Sequence, residues 1–332
     1  MRTETSLFQG GFLAVTQWSP ARRLSALAVL VVVLMTLFMT LGLEGNIAYI
    51  LKHRLQILST MVLVAFATGI STLLFQTLTR NRILTPSVMG LESLFVLLQT
   101  LLVFSLNSGG LSGLGSVGRF LVETALLVVF ATWLYRWLLS GAGLDLHRVL
   151  LIGLVCGTLF RSTSGLLQRV LSPGEFAVLQ SRIFATFTRA DSDVLMISAC
   201  LIAAVSYLVW RLRHQLDVIA LGADTATALG LNWRRYVTGL LLLVALLVAI
   251  STALVGPMTF LGLLIVNLTY PLIGAWRHSQ LLPGVVLIGM VTLIGGQLVL
   301  ERLLGMAGTL SVVIEFIGGA LFIWLLLKKA TK

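Results

Sequence analysis

The sequence predicts an all-α, polytopic membrane protein with about ten transmembrane helices. Three observations predict it. The chain has 332 residues, of which 58% are hydrophobic and only 11% charged. Its mean hydropathy is +1.03. Apolar windows long enough to cross roughly 30 Å of hydrocarbon recur from one end to the other. A soluble chain of this length would need far more charged side chains to cover its surface, so lipid is the main solvent. Backbone groups in lipid must be satisfied within their own segment, and windows this long satisfy them as helices rather than as the short alternations of a barrel.

In order, the windows cover residues 24–43, 57–78, 88–106, 120–139, 149–167, 194–210, 236–256, 258–275, 281–300 and 309–327. The first reads as a retained span, because the "LGLEGN" after it has no small-x-small cleavage site. The eighth follows Gly256 and Pro257 directly and has the weakest boundary. Cys156 and Cys200 fall inside windows, where cysteine packs as a small hydrophobe, so neither a disulfide framework nor a metal cluster is expected. His53, His147, His214 and His278 are scattered near span ends and read as interfacial residues.

Placing both termini inside assigns fifteen of the 23 Lys and Arg to the cytoplasmic face, which favours that orientation. Anionic lipid headgroups then account for the net charge of +11, and no nucleic-acid partner is needed. This orientation puts "DVIALGADTATALGLNWRR", residues 217–235, in the cytoplasm between the sixth and seventh spans, too polar to cross a bilayer. Gly222 and Gly230 punctuate it, and Asp224 sits where a first-turn carboxylate favours a helix start. Ala223, Ala226, Ala228 and Leu229 would give a small, smooth surface. Two short helices joined at a glycine fit this pattern, and spacing alone favours an ordinary connector lying on the headgroups.

A set of motifs in order resembles the FecCD family of permease subunits, the membrane parts of bacterial ATP-binding-cassette (ABC) importers for iron–siderophore complexes, haem and vitamin B12. "FQTLTRNRILTPSVMG" carries Gln76, Asn81, Pro86 and Gly90 at the family's positions after its second span, with Arg82 where the family has its first proline. Leu221, Gly222, Ala226, Leu229 and Gly230 keep the spacing of the family's coupling segment. "GPMTFLGLLIVN" supplies Gly256, Pro257, Phe260 and Gly262, and "GGALFIWLLLKK" resembles the last span. Asn267-Leu268 replaces a frequent Pro-His, and "GTLS" replaces a Leu-Pro-x-Gly.

The resemblance implies one permease domain over residues 1–332, lying in the bacterial cytoplasmic (inner) membrane. Within it, residues 217–233 would form a coupling segment that docks into a cleft on separate ABC ATPase subunits through Leu221, Gly222, Ala223, Asp224, Ala226, Leu229 and Gly230. No G-x-x-x-x-G-K-[ST] loop occurs, so ATP hydrolysis belongs to that other chain. On the outer face, a periplasmic or lipid-anchored substrate-binding protein would meet basic residues. Arg54 matches the first arginine of the family's pair, Ile57 replaces the second, and Lys52 and Arg302 supplement it. Such residues also serve simply as headgroup anchors.

Glu92, Glu123, Arg161, Glu301 and Glu315 are the ionisable residues expected within spans. The family lines its path with the fifth span, which implies Arg161, Ser162 and Ser164, although Arg161 fits slightly better near the outer end of the span or in an ion pair with a glutamate made for packing. A second permease copy or a related permease would complete the dimer. No catalytic constellation, metal site or cofactor is expected. An ion-coupled carrier would need broken helices with a dedicated carboxylate site, and the scattered glutamates do not visibly form one. The predicted substrate is a ferric siderophore, with haem or cobalamin as the alternative.

Overall fold

The computed structural model describes residues 18–42, 46–110, 115–139, 146–188, 191–303, 305 and 309–330. Arg2, Arg189 and Lys332, which entered the charge count, lie outside the described residues, as does Gly308 of "GTLS". The helices are α1 (Pro20–Thr40), α2 (Ile47–Thr79), α3 (Leu91–Gly110), α4 (Gly115–Leu139), α5 (Leu146–Gln168), α6 (Pro173–Ile183) and α7 (Ser192–Arg211). They continue as α8 (Arg213–Ile219), α9 (Ala223–Ala228), α10 (Trp233–Val255), α11 (Leu261–Ile273), α12 (His278–Arg302) and α13 (Leu310–Ala330), with a 3₁₀ turn over Pro86–Met89. Among the described residues there is no strand. Ten of the helices coincide with the ten apolar windows, and α1, α2, α4, α7, α10 and α12 are each long and apolar enough to cross a membrane.

The bundle is built around α2. Its 33 residues, about 50 Å of helix, exceed the roughly 30 Å hydrocarbon thickness of a bilayer. The sequence window begins at 57 because Lys52, His53, Arg54 and Gln56 lower the local hydropathy, yet these residues form helix. From Ile57 to Leu78, α2 is largely buried, flanked by α10, α12, α11 and α7. A helix apolar all round belongs in a core. Small residues permit the closest approach to α12: a Cβ on Gly289 would lie 3.0 Å from the Ala65 Cβ, and one on Gly69 would lie 3.2 Å from the Val285 carbonyl oxygen.

Around this centre, α10 also packs on α4, α12 on α1, and α13 on α11 and α12. The third span, α3, packs against α5 and α6. The eighth element, α11, has only 13 residues, about 20 Å, and is entered through the non-helical stretch from Gly256 to Phe260. Sequence reading did not resolve α6. Its start is a capping box: Ser172 Oγ accepts from the Glu175 backbone N–H, and the Glu175 carboxylate accepts from the Ser172 backbone N–H at 3.0 Å. The Ser172 hydroxyl also donates to that carboxylate at 2.7 Å, and this bond together with the backbone one holds the exposed Glu175 carboxyl below its usual range.

Candidate functional site

After α7, the chain turns at Leu212 into α8, then at Gly222 into α9, so two short helices stand side by side between α7 and α10. Gly222 has φ +110°, a conformation costly for any residue with a Cβ. The Arg80 guanidinium lies against it, with Nη1 2.7 Å from where a Cβ would sit. Asn232 caps α10 by accepting from the Arg235 backbone N–H at 3.2 Å. Leu221 and Leu229 are 55% and 62% exposed, and Ala223, Asp224 and Gly230 are exposed beside them.

Ala226 departs from expectation. It is fully buried rather than part of the smooth outer surface, and Gly222 is buried with it. The Ala226 N–H donates to the Gly222 carbonyl, and its own carbonyl accepts from the Leu231 N–H, so the residue closes the turn of α9 against its neighbours. Its small size fits the inside of the segment.

The segment is also tied to the spans. Asp217 Oδ1, on α8, accepts from both the backbone N–H and Nδ1 of His278, at 2.8 and 2.7 Å. His278 Nε2 in turn lies 2.9 Å from Thr77 Oγ1, in the last turn of α2. His278 is 2% exposed, which corrects its reading as an interfacial residue. A carboxylate supplied from α8 satisfies a backbone N–H that the first turn of α12 leaves without an intrahelical acceptor.

Lys52, Arg54 and Arg302 lie at the opposite ends of α2 and α12 from this segment. Arg54 Nη1 donates to the Phe38 and Leu41 carbonyls, both at 2.6 Å, and its guanidinium sits over the Phe38 ring. Arg302 Nη2 donates to the same Leu41 carbonyl at 2.6 Å. Two of the three basic residues therefore hold the C-terminal end of α1, where helix carbonyls lack partners and cations are favoured. Lys52 is exposed. Ile57, at the family's second arginine position, is buried in the core.

Arg161 is exposed on α5, donates to Ser93 Oγ at 3.2 Å, and lines a cavity of about 500 Å³ with Glu92, Ser87, Thr259 and Phe260. Ser162 is exposed outside that lining, whereas Ser164 is buried and its hydroxyl donates to the Phe160 carbonyl. Glu92 accepts from Thr259 Oγ1 at 2.7 Å, and the Thr259 backbone bonds Glu315, so the break before α11 gathers two carboxylates that look unrelated in sequence. Glu123 pairs with Arg119 at 3.7 Å, and Glu301 accepts from Gln297 at 2.8 Å. Among the described residues, no group of three His, Cys, Asp or Glu is placed to hold a metal ion.

The cavity wall depends on a tight joint. A Cβ on Gly153 would lie 2.9 Å from the Met89 Cα, and one on Gly157 would lie 3.0 Å from the Gly90 Cα. Gly90 itself has φ +80° at the end of the 3₁₀ turn.

Two departures from the family pattern meet one another. Asn267 Nδ2 donates to the Arg82 carbonyl at 3.1 Å, as does Gln76 Nε2 at 2.9 Å. The Arg82 guanidinium stacks on Tyr270 at 4.1 Å and on Trp276 at 5.0 Å.

Comparison with known proteins agrees with this architecture. Residues 23–328 match the FecCD transport family. The petrobactin import system permease protein YclO of Bacillus subtilis is 40% identical over 92% of this chain and 97% of its own length. The petrobactin permease FatC of Bacillus anthracis is 35% identical over 84% of this chain and 79% of its own length. The hemin transport permease HmuU of Yersinia pestis is 30% identical over 84% and 83%. In fold, the chain is similar to a metal-chelate type ABC transporter solved in an inward-facing conformation, with a TM-score of 0.81, 23% identity, and coverage of 93% of this chain and all of that one. With the family matched over nearly the whole sequence and relatives similar along almost their full lengths, the chain belongs to the FecCD transport family.

Proposed function

We propose that this chain is the permease that carries a ferric siderophore across the bacterial inner membrane, driven by ATP hydrolysed in a partner subunit. The observation that carries the substrate class is the 40% identity to a petrobactin permease over 92% of the chain, against 30% to a hemin permease. The α8–α9 segment is the contact with the ATPase, made mainly through Leu221, Ala223, Asp224, Leu229 and Gly230. Gly222 and Ala226 shape it from inside. Both termini are cytoplasmic, which puts that segment in the cytoplasm and Lys52, Arg54 and Arg302 on the outer face with the substrate-binding protein.

Arg161 lies on the path. Leu154, which lines its cavity, is exposed, as are Val155 and Leu159 on the same helix, an apolar surface that a second permease would cover. A guanidinium there suits an anionic chelate, and a cavity without a tight ion cage suits a bulky one. The test is uptake by the permease reconstituted in vesicles with its ATPase and binding protein. Labelled ferric petrobactin should accumulate in an ATP-dependent manner, and haem and cobalamin should not. Accumulation of haem or cobalamin in preference to every ferric siderophore would reverse the assignment.

A further inference from the structure

The α8–α9 segment packs on the spans through apolar residues, with Leu216 and Ile219 fully buried. Apolar contacts hold a segment in place but slide easily, because they have no direction. A directional connection is present at one point. Asp217 reaches across 61 positions to His278 at the start of α12, and His278 reaches across 201 positions to Thr77 at the end of α2.

The proton arrangement makes this connection specific. A carboxylate only accepts, so Nδ1 of His278 carries the proton facing Asp217. In the neutral ring, Nε2 then accepts from the Thr77 hydroxyl. That hydroxyl has a second acceptor, the Leu73 carbonyl at 2.8 Å, so one proton is shared between the helix and the ring. Both Thr77 and His278 are buried, where such bonds strengthen and an abandoned partner is costly. Arg80, lying against Gly222, adds a steric contact between the same segment and the same end of α2.

We propose that Asp217, His278 and Thr77 form the side-chain linkage that carries displacement of α8 and α9 into α2 and α12, with His278 as its positioning residue. The proposal rests on the reading of α8–α9 as the ATPase contact. The linkage sits where its effect would be large, since α2 is the centre of the bundle and α12 packs along it. A rigid connection at one end of two adjacent spans turns a push on the segment into a shift of the core.

The test uses the complete transporter in vesicles, measuring ATPase retained on purification, hydrolysis, and substrate accumulated per ATP. Thr77→Val keeps the shape and removes the hydroxyl, whereas Thr77→Ser keeps the hydroxyl and removes a methyl group. We expect Thr77→Val to lower accumulation per ATP about tenfold, the size of effect expected when a buried partner is orphaned, and Thr77→Ser to match the parent. Asp217→Ala, which removes the acceptor, and His278→Asn should likewise keep the ATPase and lose accumulation. Parental accumulation per ATP in Thr77→Val would overturn the linkage, as would a loss in Thr77→Ser alone, which marks simple packing. Loss of the ATPase from Asp217→Ala would also overturn it, by placing Asp217 in docking. The docking reading is checked separately with Leu229→Asp. If that variant keeps the ATPase, the contact lies elsewhere, whatever the Thr77 variants do.

Discussion

Ala226 and Leu229 are neighbours in sequence yet face opposite ways, one fully buried and the other 62% exposed. A substitution at each therefore probes something different. Leu229→Asp places a charge on the free surface, so the permease should fold and insert at parental levels while ATPase co-purification falls at least about tenfold. Ala226→Arg overfills the inside of the segment, so limited proteolysis should cut between α8 and α10 and the ATPase should be lost as well. On the other face, Lys52→Glu should weaken binding-protein docking in a salt-sensitive way and leave the folded permease unchanged. Arg54→Glu should lower the amount of folded protein too, because it takes the side-chain donor from the Phe38 carbonyl, leaves Leu41 with Arg302 alone, and sets a carboxylate against a helix C-terminus. Equal yields for Lys52→Glu and Arg54→Glu would show that Arg54 does not support α1. These distinctions were hidden in the sequence. A small residue does not reveal which way it faces, and an arginine at a span end reads the same whether it meets a partner protein or a helix terminus.

At the scale of elements, helices with long apolar runs were legible because hydrocarbon leaves the backbone no alternative. The first turns of α2 were not, since Lys52, His53, Arg54 and Gln56 look like a loop when read for hydropathy alone. The start of α6 was legible in principle from Ser172-Pro173-Gly174-Glu175, a helix-start pattern that an argument built on spans passes over. Because hydrogen bonds from Ser172 lower the Glu175 pKa in the folded state, that contribution to α6 is present above the unfolded value near 4.5 and is lost as pH falls through the folded one. Protection factors of the amides at the start of α6, with the intrinsic pH dependence of exchange divided out, should therefore fall on acidification in the parent and lose that pH dependence in Glu175→Gln. The joint between α5 and the 3₁₀ turn is backbone on backbone, so it cannot yield to a larger residue. Gly153→Leu should cost about 1–3 kcal/mol and lower the thermal midpoint of the purified permease. An unchanged midpoint would mean that α5 is free to shift.

For the whole molecule, the two ends of α2 and α12 carry different business: α1 is held at one and the α8–α9 segment at the other. Sequence motifs supplied the family and the place of the segment, because both rest on local spacing. The contacts among Asp217, His278 and Thr77, and between Arg82 and Asn267, were illegible because each joins residues far apart in the chain, which no local pattern records. The gathering of Glu92 and Glu315 at Thr259 was missed for the same reason. The half-length α11 bears on how the protein is made. A segment of about 20 Å is too short to cross the membrane by its own hydrophobicity as it leaves the ribosome. The earlier-made α2 covers one side of it, and its packing is completed only by α12 and α13, which are synthesised later. A chain that ends at Ile273 and is released from the ribosome should therefore leave α11 extractable from the membrane, and one extended through Ala330 should hold it, making insertion of this region a cooperative event late in biogenesis.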